Sequence, residues 1–170
     1  RFGSRFFGVD GDTLEGVVGA RLRKKGQTLA VAESCTGGLL GKMITDQAGA
    51  SNYFAEGVIT YSDRSKVIRL GVKPRTLEKF GAVSPQTARE MALGIRKKAG
   101  ADVGISVTGI AGPDGGTRMK PVGTVHIATA RTNHGLVHRA ELFEVETRAE
   151  IQEAATRAAL EMLRERVAER

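Results

Sequence analysis

Three short apolar runs each stop at a loop built of glycine and hydroxyl-bearing residues, with a segment of helical period between one run and the next. TLAVA at 28–32 leads into ESCTGG, GVITY into SDRSK, and GISV into TGIAGPDGG. Apolar runs of this length bounded by turn residues read as strands buried on both faces. Buried strands joined through helices pair in parallel, and both faces of such a sheet must be covered. This pattern constrains the chain more than any single residue does. Ligands of open α/β sheets collect at the carboxyl ends of the strands, which is where all three polar loops fall.

The intervening segments supply the helices. TLEGVVGARLRKK, residues 13–25, sets Leu14, Val17, Val18 and Leu22 at helical spacing, and Gly26 stops it. Residues 34–46 return to that period through Leu39, Leu40, Met43 and Ile44, and DRSKVIRLG forms a short helix ending at Gly71. SPQTAREMALGIRKKAG opens with a serine cap and a proline at the first helical position, the clearest helix start in the chain. The strands are GVITYS at 57–62, VGISVTG at 103–109, and the alternating runs VGTVHIATA at 122–130 and GLVHRAELFEV at 135–145, which RTNH joins into a hairpin. A long amphipathic helix over 146–170 closes the chain. The order α-β-α-β-α-α-β-β-β-α predicts an α/β fold: one three-layer α/β/α domain over residues 13–170, with a mixed sheet of about five strands. Residues 1–12, RFGSRFFGVDGD, form an extension with no assignable role.

Composition removes several function classes. A chain of 170 residues supports one core of ordinary size. No apolar run approaches the roughly 18 residues of a membrane span, and RFGSRFFGVDGD lacks the apolar stretch of a signal peptide. The single cysteine allows neither an internal disulfide nor a thiolate-rich zinc site. With three histidines, His126, His134 and His138, all in or beside the hairpin and expected to be surface or structural, no metal is implied. A soluble, cytoplasmic protein without membrane partners is the expectation. The net charge of +7 raises nucleic acid as a partner, but the basic residues are spread among acidic ones and aromatics are 5%. Clustered charge and stacking platforms are what nucleic-acid folds bring, so nucleic acid is not expected. A domain of this size with exposed helices is compatible with a homo-oligomer.

The three loops carry the candidate chemistry. TGGLLGKM departs from the phosphate loop GxxxxGK[ST] at two places, Thr36 and Met43. What remains is that Gly37 and Gly38 at a strand-to-helix turn either expose N–H groups to an anion or simply let helix and strand approach. Ser34 is either a helix cap or a nucleophile. Cys35 is either a small buried residue or the nucleophile itself. Lys66 follows the tyrosine-bearing loop by five residues and begins the apolar stretch KVI. If desolvated, its amine loses its proton more readily and can take one from a serine, with no histidine required. TGIAGPDGGT, residues 108–117, follows a buried strand, so Thr108, Gly109, Gly112, Gly115 and Gly116 are candidate ligand contacts.

Taken together, AESCTGG, VITYS followed by Lys66, GAVSPQTAREMA, and SVTGIAGPDGG followed by KPVGTV resemble the carboxy-terminal domain of the competence/damage-inducible CinA family, which includes the PncC-type nicotinamide-nucleotide amidohydrolases. The resemblance runs from about Leu14 into the final helix. It implies a deamidase that converts nicotinamide mononucleotide into nicotinate mononucleotide and ammonia in pyridine nucleotide salvage, with no cofactor. It also implies a serine–lysine mechanism. Carried over by motif, Ser34 is the nucleophile, Lys66 its base and Tyr61 an orienting or relaying group. Amides around Cys35 to Gly38, with Thr36 beside them, would form the oxyanion hole, and the 108–116 loop would receive the 5′-phosphate. A non-catalytic module sensing a pyridine nucleotide and a DNA-associated competence factor are the competing readings.

Overall fold

The structure is a computed structural model that describes residues 13–168. The 1–12 extension lies outside the described residues. Five strands form one mixed sheet in the order β2-β1-β3-β4-β5. The strands are β1 (Leu29–Glu33), β2 (Phe54–Ile59), β3 (Val103–Gly109), β4 (Thr124–Arg131) and β5 (Gly135–Leu142). β1 pairs in parallel with both β2 and β3, while β4 and β5 run antiparallel as the expected hairpin. The helices are α1 (Leu14–Lys25), α2 (Leu39–Thr45), α3 (Asp63–Leu70), α4 (Pro74–Phe80), α5 (Pro85–Lys98) and α6 (Arg148–Ala168). α1, α2 and α6 cover one face of the sheet; α5, with α3 and α4 beside it, covers the other. The fold is therefore α/β with helices on both faces.

Local chemistry explains most boundaries. Gly26 adopts φ +60°, and its amide and that of Gln27 close α1 onto Arg23 O and Leu22 O. Ser84 Oγ accepts from the Thr87 amide at 3.2 Å, with Pro85 at the first helical position of α5. The two sheet faces differ in character. Leu29, Val31, Val103, Ile105 and Val107 fill the core beneath α1 and α6. Ala30, Ala32, Gly104, Ser106, Ala128 and Ala130 line the α5 side, where a Cβ on Gly104 would strike the Ala92 carbonyl. This row of small residues lets α5 lie close on the sheet.

Three expectations are corrected. The helix read over 34–46 begins at Leu39, because the chain first makes a turn through Gly37 (φ +63°) and Gly38 (φ +106°). β2 begins at Phe54 and ends at Ile59, so Thr60 and Tyr61 belong to the loop beyond it. Pro74–Phe80 is a helix of two turns, too short to show a period in the sequence.

Candidate active site

β1 and β3 are neighbours in register, and Ser34 extends their ladder by one bond, its amide donating to Val107 O at 3.0 Å. That bond fixes the backbone of Ser34 at the carboxyl edge of the sheet. The expectation that Ser34 caps the next helix is not met. α2 is capped instead by the Glu33 side chain, which accepts from the amides of Gly38 (2.9 Å), Leu40 (3.1 Å) and Gly41 (2.8 Å). The Ser34 hydroxyl is left free for other work, and its Oγ lies 3.2 Å from Lys66 Nζ.

Lys66 enters from α3, whose N-terminus is fixed by Ser62 Oγ accepting from the Ser65 amide. Only 1% of the lysine is exposed. Its amine donates to Thr60 O at 2.9 Å and to Tyr61 O at 3.2 Å. Burial lowers its pKa from the ordinary 10.5, against the opposing pull of Asp63 and then Cys35. No carboxylate is among its hydrogen-bond partners.

Cys35 is 4% exposed and its thiol is pushed up to about 12, chiefly by burial. A thiol held in that state is a packed neighbour rather than a nucleophile. Tyr61 contributes to the lysine through its main-chain carbonyl. Its ring is 62% exposed, and its hydroxyl accepts from Arg148 Nη2 at 2.8 Å. Arg148 Nη1 donates to Gly112 O at 2.7 Å, so one guanidinium ties the Tyr61 loop to the glycine-rich loop. Gln152, one turn further along α6, donates to Cys35 O at 2.8 Å and steadies the serine turn.

Ser34 and Lys66 open onto a cleft of about 260 Å³. Ser34, Cys35, Tyr61, Lys66 and Arg148 line it together with Ala82, Val83 and residues of the 108–115 loop. Among the described residues no cluster of three or more His, Cys, Asp or Glu could hold a metal ion, and no helix is long and apolar enough to cross a membrane.

Comparison with known proteins follows the same outline. A family model described as the CinA C-terminal domain matches residues 11–167. The chain belongs to the CinA C-terminal domain family. A CinA-like protein of Syntrophomonas wolfei is 51% identical over 162 residues, covering 95% of this chain and 38% of that protein. A putative competence-damage inducible protein of Clostridium kluyveri is 47% identical over 165 residues, 97% of this chain and 40% of its own length. This chain thus spans about two fifths of the curated relatives it matches. The crystal structure of the competence/damage inducible protein CihA of Agrobacterium tumefaciens superposes with a TM-score of 0.85 at 40% identity, covering 93% of this chain and 98% of that one. A CinA superfamily protein of Escherichia coli gives a TM-score of 0.83 at 32% identity over 96% and 98% of the two chains.

Within this CinA domain, Ser34, Tyr61, Lys66, Thr108, Gly109, Gly112 and Gly115 all line the one cleft. Thr36, Gly37, Gly38 and Gly116 do not. Thr36 Oγ1 is buried without a hydrogen-bond partner, the Gly37 amide is spent on Ser34 O, and that of Gly38 on Glu33. An anion site at this turn is therefore closed by the protein's own carboxylate. Thr108 lies in the cleft wall, with its hydroxyl donating to Ala82 O at 2.9 Å. The structure adds Glu33, Arg148 and Gln152, which nothing local in the sequence marks. His126 and His138 pair with each other at 3.0 Å on the hairpin, outside the cleft.

Proposed function

We propose that this domain hydrolyses the carboxamide of nicotinamide mononucleotide to nicotinate mononucleotide and ammonia, with Ser34 as nucleophile and Lys66 as base. The observation that carries the reading is the arrangement around one buried amine. A neutral amine has two N–H bonds and one lone pair. The carbonyls of Thr60 and Tyr61 take the two N–H bonds, and the lone pair is left facing Ser34 Oγ at 3.2 Å. In this state the serine O–H donates to the amine, as nucleophile activation requires.

The reaction then follows in two halves. Ser34 Oγ bonds to the carboxamide carbon while its proton passes to Lys66, and the resulting ammonium protonates the departing nitrogen, which leaves as ammonia. Water enters the vacated position, loses a proton to Lys66 and adds to the ester; collapse returns the proton to Ser34. With the Gly37 and Gly38 amides already engaged and Thr36 outside the cleft lining, the Cys35 amide is the donor the turn offers the oxyanion. Arg148, whose guanidinium lines the cleft beside the neutral Lys66, supplies positive charge for the 5′-phosphate beside the 112–115 loop. The direct test is ammonia release from nicotinamide mononucleotide by the wild-type chain and by Ser34→Ala. Release by the wild type alone supports the reading. Tight binding without release by either protein replaces it with a nucleotide-sensing module.

A further inference from the structure

Glu33 is a carboxylate with 3% exposure, next to the nucleophile yet absent from the cleft. Both side-chain oxygens accept from backbone: Oε2 from Gly38 and Leu40, Oε1 from Gly41. This grips the start of α2 and sets the far end of the turn that carries Ser34. The main chain of the same residue grips the other half of the site. Glu33 O accepts from the Thr60 amide at 2.8 Å, and Thr60 O in turn accepts from Lys66 Nζ at 2.9 Å.

We infer that Glu33 is a positioning residue that sets the distance between Ser34 Oγ and Lys66 Nζ, by anchoring the serine turn with its side chain and the lysine-holding segment with its carbonyl. The inference rests on the proposed serine–lysine hydrolysis. It explains why a buried acid stands at the end of an otherwise apolar parallel strand. A helix N-terminus would otherwise attract the substrate's anion into the turn, and a carboxylate already bonded there occupies those amides and leaves Ser34 and Cys35 as the turn's residues lining the cleft. An uncapped start to α2 would let the turn shift, and proton transfer is steeply sensitive to such displacement.

Three variants test this. Glu33→Gln keeps the length but sets an N–H2 group against at least one of the three amides. Glu33→Asp keeps the charge and is one methylene short of them. Gly41→Ala adds a Cβ 3.3 Å from Glu33 Oε1 at a position where alanine favours the helix. The probe is phenylmethylsulfonyl fluoride, from which Ser34 Oγ displaces fluoride as its proton leaves through Lys66, read by mass on Ser34 and normalised to folded protein. We expect each variant to be labelled at least about tenfold more slowly than wild type, with kcat on nicotinamide mononucleotide falling in parallel and KM within about twofold. The pH at which labelling accelerates should stay where it is. Wild-type labelling rates in the folded variants, whatever their thermal stability, would overturn the inference, as would a moved pH midpoint with an undiminished plateau. If wild type is labelled at Ser34 but releases no ammonia from the mononucleotide, the proposed substrate fails while the labelling comparison still decides the role of Glu33. A wild type that is not labelled at Ser34 removes the activated pair and both readings with it.

Discussion

Lys66→Met probes the amine through stability and turnover in one variant. Methionine keeps an unbranched apolar stem and removes the group that donates to Thr60 O and Tyr61 O. Leaving those carbonyls without a donor costs about 1–3 kcal/mol each. Removing the amine also relieves the cost of keeping a lysine in a buried site, an offset of the same order, so the net change at neutral pH is small. The pH dependence discriminates better. Burial lowers the pKa of Lys66 in the fold below the ordinary 10.5, so between the folded value and 10.5 the unfolded chain binds more protons than the native one. Wild type therefore gains stability as pH rises through that window. The destabilisation is complete below it and absent above it. For one group the slope reaches at most about 1.4 kcal/mol per pH unit. The unfolding free energy of wild type minus that of Lys66→Met, from urea titrations between pH 7 and 10, should climb with pH toward that slope. Turnover of the variant should fall by about three orders of magnitude at every pH. Parallel stability profiles, or wild-type turnover in the variant, would refute a desolvated base at this position.

Other outcomes follow from the same geometry. Cys35→Ala should cost about 1–2 kcal/mol of stability and leave ammonia release nearly intact, and iodoacetamide should alkylate the native thiol slowly. Arg148→Leu should raise KM for the mononucleotide by about 10- to 100-fold while changing KM for the dephosphorylated nucleoside little, a contrast read by steady-state kinetics on both. In Gly94→Ala the new Cβ overlaps the Leu70 carbonyl oxygen, so α3 must move from α5 and thermal unfolding should report a loss of about 1–3 kcal/mol despite alanine's better helix propensity.

The strand framework and the segments that bring Ser34 and Lys66 within 3.2 Å of each other were legible because each depends on short-range pattern. Apolar runs ending in polar loops mark β1, β2 and β3, and the motifs around Ser34 and Lys66 are contiguous. Features that arise only in three dimensions were not legible. Glu33 reads as one more loop acid following TLAVA, and its capping role emerges only when the Gly37–Gly38 turn brings α2 back over it. Tyr61 was expected to orient or relay, but sequence cannot say which atom of a residue faces its partner; the carbonyl meets Lys66 and the hydroxyl meets Arg148. α4 has seven residues, fewer than are needed to reveal a helical period.

Arg148 reaches the cleft from the last helix and Gln152 braces the serine turn from it, joined to Tyr61 and Cys35 across 87 and 117 residues of chain. This separation gives the site an order of assembly in time. During synthesis the serine turn, the lysine helix and the glycine loop all leave the ribosome well before residue 148, and loop closure over such spans is slow compared with local helix formation. A nascent chain can thus hold Ser34 against Lys66 while the cleft is still open on the α6 side. The cleft is completed as one late event, when α6 docks and its first turns tie the loops together.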